Sequence, residues 1–552
     1  MCLFWLFLLL APSVAAAQET PETGSLEGRV LHALTREPVP RAALTLTLEG
    51  RPGHPLEARP PERQASTDAD GRFRFDALPP GRYYLRARKA GFLFQYYNPL
   101  PRGSGAAPIP ITASATPASL EMLLFPQAVV SGRVLDENGE PAERVYVALE
   151  SLEYTFLGRR RPWPVHSAPT DDQGEFRFPG LAPGRYYLWI RPRPSLMVEG
   201  FPTPRDPNTE TELDFIPFYY PNAPDLESAT PIDLEPGTEL TGILIRPRKF
   251  PTFRVQGRVA GHDRPDAPSG LTLFPFHGSP ITAITGRHAN VLPDGSFEFA
   301  GVAPGRYYIA AQRREGVNPW LWHAEVHVGR QDVSNITVEY TPPARIACQI
   351  LIEGDDTQEP TPSPIVASLM PLDGPLLATP RGWSEHRREF TIENAVPGHY
   401  WLQIGGRPQP DSWLKTILFD GREVTDSGVV VLPGASSRLS LVFAPGAASL
   451  SGMVTNPDGE PVPGVTVALV PERPNPTRPD LYPQAAATAS GAFELHDLAP
   501  GRYLLYAFDH LPPGAHLDPE FLKPHLSRAT RLEIEPGGRH QITLRHRATS
   551  AK

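Results

Sequence analysis

The sequence predicts an all-β protein of five tandem Greek-key β-sandwiches, and three observations carry that expectation. A single sentence recurs five times, as Phe73-Arg-Phe75 with Gly81-Arg82-Tyr83, Phe176 with Gly184-Arg185-Tyr186, Phe297 with Gly305-Arg306-Tyr307, Phe390 with Gly398-His399-Tyr400, and Phe493 with Gly501-Arg502-Tyr503. The spacing from Phe to Tyr is the same in every copy, so a structural unit is being counted out. Strands alternate apolar and polar residues around frequent turn signals. Proline (68) and glycine (46) are abundant, as many short strands joined by tight turns require.

Each repeat opens on a β-rich run, such as Val129-Val130-Ser131-Gly132-Arg133-Val134-Leu135, which ends at the turn Asn138-Gly139. A second alternating strand follows, Arg144 to Leu149 here and Ala43 to Leu48 in the first copy. After a variable stretch, Asp70-Gly71, Gln173-Gly174, Asp294-Gly295 or Ser490-Gly491 introduces what reads as a hairpin. Phe73 and Phe75 then share one face, with Arg72 and Arg74 on the other. Leu78, Leu181, Val302, Ala395 and Leu498 plug the end of the sandwich. The Pro-Gly turn reverses the chain, and Tyr83 with Leu85 faces inward, the tyrosine hydroxyl needing a partner. Closing strands run from Leu120 to Phe125, Leu240 to Ile245, Asn335 to Tyr340, Leu439 to Phe443 and His540 to Leu544. The expected divisions are a signal peptide at 1–17 and sandwiches at 18–125, 126–250, 251–343, 344–445 and 446–552, about 107 residues per copy.

Leu3 to Leu10 is an apolar run followed by Pro12 and Ala15-Ala16-Ala17, the pattern of a secretory signal peptide without the usual basic residue before it. The competing reading is an uncleaved anchor; the stretch falls short of the ~20 residues that span a bilayer. The mature chain has no other segment that could, so a secreted or periplasmic location is expected. Net charge is −9 with both signs interspersed, which argues against a nucleic-acid partner. Beyond Cys2, Cys348 is the one remaining cysteine, so the sandwiches rest on their hydrophobic cores without a disulfide.

Gly-Arg-Val, an Asn/Asp-Gly-Glu-Pro turn, Gly-x-Phe-x-Phe and Leu-x-Pro-Gly-x-Tyr together resemble the carboxypeptidase regulatory-like domain, a transthyretin-like (prealbumin-like, Ig-like) β-sandwich also grouped with carbohydrate-binding-like modules. Repeats one, two and five match well; repeat three lacks the Glu-Pro turn, and repeat four has drifted furthest, with Cys348 and His399. The resemblance implies modules that accompany catalysis in metallocarboxypeptidases without performing it. Similar surface modules of Gram-positive bacteria carry Lys-Asn isopeptide bonds. No lysine lies in the first strands here, so that stapling is not expected.

His386-Arg-Arg-Glu389, with His496, His510 or His516 downstream, imitates a zinc carboxypeptidase motif but falls on a small sandwich. His323-Ala-Glu325-Val-His327 places two imidazoles and a carboxylate on one strand face, a metal candidate whose rival is a solvated polar face. Asp68-Ala-Asp70-Gly71 and Asp171-Asp172-Gln173-Gly174 read as turns rather than calcium loops. No catalytic elbow, phosphate loop or dinucleotide fingerprint is present, and no cofactor is expected. Aromatic residues remain. Tyr84, Tyr187, Tyr308 and Trp401 follow the inward tyrosine and should turn outward beside Arg82, Arg185 and Arg306, suited to stacking on sugars or to packing against other elements. Loops with Tyr96, Tyr97, Tyr219, Tyr220, Trp320 and Trp322 must be covered by a neighbouring domain or a ligand. The reading is a non-catalytic binding or structural protein of the cell envelope whose partner is a polysaccharide or an envelope protein. The alternative is the accessory part of a hydrolase system or an undetected peptidase.

Overall fold

The computed structural model describes residues 23–49, 62–97, 106, 108–112, 119–155, 157–193, 197–198, 201–206, 212–276, 286–311, 321–355, 361, 363–372, 379–488 and 490–546. The expected signal peptide lies outside the described residues. The architecture is all-β, a tandem series of sandwiches. Backbone contacts divide the chain into two compact units, residues 1–99 with 105–126, and residues 100–104 with 127–552.

The first unit shows the plan. Its strands are β1 (Gly24–His32), β2 (Ala43–Leu48), β3 (Glu62–Ser66), β4 (Arg72–Leu78), β5 (Gly81–Arg88), β6 (Gln95–Tyr96), β7 (Ile109–Ile111) and β8 (Leu120–Leu124). One sheet has the order β4-β1-β8, and the other has β3-β2-β5-β6 with β7 also on β5. β1 runs antiparallel to β4 and parallel to β8. A parallel first and last strand means that the chain enters one end of the sandwich and leaves at the other, a geometry that suits tandem linkage.

The repeated sentence was expected to be a hairpin, and here the structure corrects the reading. β4 pairs β1, whereas β5 pairs β2, so the Pro-Gly turn carries the chain from one sheet to the other. The tyrosine holds that corner. Tyr83 is buried, and its hydroxyl donates to the Pro79 carbonyl at 2.8 Å. The same bond reaches four residues back from Tyr186 to Ala182, Tyr307 to Ala303, Tyr400 to Val396 and Tyr503 to Ala499, at 2.7 to 3.0 Å. The inward ring and its hydroxyl partner are thus one device: the ring fills the core and the phenol closes the corner that the ring ends on.

The apolar faces follow the alternation. Phe73, Phe75, Phe176, Phe178, Phe297, Phe299 and Phe493 are buried, as are Leu78, Leu181, Val302, Ala395 and Leu498. Each repeat has its own core cluster, drawn from residues 26–124, 128–245, 253–338, 344–443 and 448–544. At the approach to each corner, Asp68 and Asp171 serve as turn acceptors. Asp68 Oδ1 takes the Asp70 and Arg72 amides at 2.9 and 2.7 Å, and Asp171 Oδ1 takes those of Gln173 and Glu175 at 3.0 and 2.7 Å.

One recurring feature has little signature in the sequence. Immediately before each plugging residue the chain takes a positive φ, at Ala77 (53°), Gly180 (76°), Gly301 (70°), Asn394 (54°) and Asp497 (62°), and the pairing to the first strand slips there. These are β-bulges that bend the strand into its corner. Glycine, asparagine and aspartate tolerate the left-handed region; Ala77 does not. Ala77→Gly is therefore expected to stabilise repeat one by about 0.5–1 kcal/mol, relief of strain exceeding the added freedom of the unfolded chain. A lower melting temperature for this variant would place the strain elsewhere.

Within the second unit, repeats are joined by more than linkers. Glu212–Asp214 pairs with Phe250–Val259, the first strand of repeat three. Arg254 is buried there, donating through Nε to Glu212 Oε2 at 2.7 Å and pairing also with Glu298. The carboxylates raise the Arg254 pKa against the opposing effect of burial. Repeat two also reaches repeat five. At the tip between its strands Tyr146–Tyr154 and Arg160–Pro169, Tyr154 meets the ring of Phe521 edge-on at 6.1 Å, on a short helical segment that covers the outer face of repeat five's sheet.

Candidate functional site

Strand alternation does turn the second aromatic of the repeated strand away from the core, and there each ring already has company. Tyr84 is half-buried and donates to Glu49 Oε1 at 2.6 Å; that hydrogen bond, followed by burial, raises its pKa. Glu49 also holds Arg82, at 2.9 Å. Tyr187 packs against a small outer cluster of Ala148, Trp189, Tyr219 and Ala223. Tyr308 stacks on His323, centroids 5.3 Å apart and planes at 11°, and burial pushes its hydroxyl well up. Trp401 is only 2% exposed, which corrects the expectation of an open ring there. Its side chain is among the most buried of the described residues, so it offers no face to a sugar.

The metal candidate also separates. His323, Glu325 and His327 do lie on the face opposite the buried Trp322, Val326 and Val328. Along an extended strand, however, residues four apart are about 13 Å from each other, too far for one ion to take both imidazoles. Glu325 accepts from Arg306 Nη2 at 2.8 Å, and His323 lies under Tyr308. No group of three metal-ligating side chains occurs among the described residues.

The aromatic loops were expected to need a neighbour or a ligand, and those in the described residues turn back on their own repeat. Tyr97 packs on the first core, and its amide donates to the Leu85 carbonyl at 2.9 Å. Tyr96 meets Phe94 edge-on at 5.3 Å, leaving Phe94 more than half exposed. Tyr220 packs on the second core, while Tyr219 is buried on the outer face of that sheet and donates to the fully buried Glu150 at 2.8 Å. Burial, with the Glu150 charge, pushes the Tyr219 phenol far up. Trp322 is 1% exposed, a core residue of repeat three and not a loop residue. Trp320 lies outside the described residues. The physical reason is economy of chain length: a loop that follows the corner strand can fold straight onto the sheet it has just left, burying its rings without a second molecule.

Sequence reasoning passed over the charged residues at the junctions between repeats. Glu212 and Arg254 are 42 residues apart, and Arg407 of repeat four pairs with Asp497 of repeat five. Neither pair shows a motif or a period.

Residues 25–109 and 129–193, within the first two repeats, match the family model described as the carboxypeptidase regulatory-like domain. No curated protein matches the chain. Among solved structures, the chain is similar to the Bacillus anthracis TIE protein, at 9% identity over 73% of this chain and 69% of that one, TM-score 0.15. It is similar also to the minor pilin of Streptococcus agalactiae, at 15% identity over 42% of this chain and 98% of that one, TM-score 0.19. Two B repeat units of the Staphylococcus aureus collagen binding protein give 12% identity over 76% and 99%, TM-score 0.14. No helix among the described residues is long and apolar enough to cross a membrane.

Proposed function

We propose that the chain is a secreted or periplasmic, non-catalytic array of β-sandwiches that serves the cell envelope as a structural and binding element, with carbohydrate as its ligand class. One observation carries this reading: the residues that recur in every repeat are architectural. The phenylalanines fill cores and the tyrosines close corners through their hydroxyls. What the repeats share is a scaffold, and ligand contacts then fall to residues that differ between copies. The amino-terminal apolar run supplies the export signal on this reading.

The array is tested by passing the mature chain over polysaccharide affinity gels and envelope extract, with cell fractionation to locate it. Retention on a polysaccharide or recovery of an envelope protein is the expected result. Hydrolysis of a peptide or glycan panel by the purified chain would overturn the non-catalytic reading and favour a hydrolase accessory. The limits near 125, 250, 343 and 446 are proposed as boundaries of folding units. Residues 126–250 alone should then unfold cooperatively with a β-type circular dichroism spectrum; a disordered product would show that this repeat depends on the contacts it makes through Glu212 and Tyr154.

A further inference from the structure

A cleft of about 590 Å³ lies between repeats four and five, within the ~300–1,000 Å³ of small-molecule sites. Its apolar wall includes Ile404, Leu414 and the half-buried indole of Trp413, and its polar wall includes Arg407, Asp480 and Asp497. The walls are fixed from both repeats. Arg478 is buried and holds Asp480 with two bonds, Nε to Oδ1 at 2.8 Å and Nη2 to Oδ2 at 2.6 Å. The same guanidinium crosses to the Leu414 carbonyl of repeat four at 2.9 Å. Arg407 crosses the other way to the Asp497 carboxylate. Asn475 Nδ2 adds a third crossing, to Asp426 Oδ1 at 2.6 Å. A cleft braced this way is preorganised, which lowers the ordering cost of binding.

The charges decide the ligand. Arg407 lines the cleft with Asp497 and Asp480, and the buried Arg478 backs Asp480, so each carboxylate of the polar wall is balanced by a guanidinium. An ionic ligand gains attraction from one member of a pair and repulsion from the other. A hydroxyl is different: it accepts from an arginine N–H and donates to a carboxylate, so a vicinal diol can bridge an Arg-Asp pair without breaking the charge balance. Across the cleft, Trp413 offers a flat apolar surface of the kind that stacks on the C–H face of a pyranose. We infer that this cleft is a binding site for a neutral oligosaccharide, seated with one sugar face on Trp413 and its hydroxyls on Arg407, Asp480 and Asp497. The inference rests on the carbohydrate reading above and gives it a location away from the tyrosine row.

The test is isothermal titration of the mature chain with four neutral probes, cellohexaose, maltohexaose, mannohexaose and chitohexaose. Binding of at least one is expected, with affinity falling tenfold or more in Trp413→Ala and in Asp497→Asn, and less in Trp413→Phe. Asparagine suits the left-handed conformation at 497, so that variant keeps the fold even if the tryptophan variant is destabilised; melting temperatures of all variants are measured alongside. The triple change Tyr84→Ser, Tyr187→Ser, Tyr308→Ser should leave affinity within twofold. Full affinity in Asp497→Asn and Trp413→Phe, with loss in the tyrosine triple variant, overturns this site and leaves the carbohydrate reading standing. Failure of the parent chain to bind any of the four probes overturns the site and the carbohydrate class together, while cell fractionation still judges the envelope location.

Discussion

Phe176→Ala is expected to destabilise repeat two by about 3–5 kcal/mol, whereas Arg177→Ala, one residue on, should stay within about 0.5 kcal/mol of the parent. Phe176 is 4% exposed and packs on Phe178 with ring centroids 5.6 Å apart. Its ring tip lies where a side chain on Gly132 would be, 2.8 Å from the position of that Cβ. Removing it empties the space between the two sheets, which the rigid ladder of Glu175–Leu181 on Ala128–Val134 cannot collapse to fill. Arg177 stands on the opposite, solvent face of the same strand. Calorimetry of the mature chain should show one transition moving down in the phenylalanine variant and none in the arginine variant. Equal effects would contradict the assignment of faces.

That assignment was legible because period two is local: a residue's neighbours in sequence fix which side of the sheet it takes. Phe73, Tyr83 and Leu78 could be placed from spacing alone. The corner could not, since a Pro-Gly turn announces reversal without stating which strand receives the chain, and the deciding pair, Gly28 opposite Phe73, is separated by 45 positions of variable loop and second strand. The covering of the outward aromatic row, complete at Trp401 and partial at Tyr84 and Tyr308, escaped the sequence for a related reason. Alternation gives the direction of Tyr84, Tyr308 and Trp401; whether a ring that points outward is uncovered depends on Glu49, on His323 and on packing around repeat four, none of which the repeat encodes. The cleft was illegible altogether, because Arg407 and Asp497 belong to different copies and recur in none. The bulge stands between these cases. Gly180, Gly301, Asn394 and Asp497 share a tolerance for the left-handed region that superposed repeats display, and Ala77 hides it.

Gly132→Ala should be among the most damaging single-methyl additions in the chain, at about 3 kcal/mol or more, and the fourth repeat explains why the same addition is tolerated there. A Cβ at Gly28, Gly132, Gly257 or Gly452 would lie 2.0–2.3 Å from a carbonyl oxygen of the parallel closing strand and 2.8 Å from the phenylalanine ring. The carbonyl belongs to the ladder, so its retreat would strain the first-to-last strand pairing on which the sandwich closes. In repeat four this position is Cys348, a buried thiol whose pKa burial pushes up to about 12. Its phenylalanine has moved: Phe390 is half-buried, and it now lies against Gly382, where a Cβ would come within 2.9 Å of the ring and 2.6 Å of the Thr391 carbonyl oxygen. The need for glycine has thus passed from the first strand to Arg381–Trp383, together with the ring it accommodates. Gly382→Ala should accordingly cost repeat four about as much as Gly132→Ala costs repeat two, while Cys348→Ala, which removes only the sulfur, should cost about 1 kcal/mol. Chemical denaturation of the three variants measures the contrast. A neutral Gly382→Ala, or a Gly132→Ala that loses no more than Cys348→Ala, would mean that the strands yield to the added methyl and that ring packing is not what the repeated glycine protects.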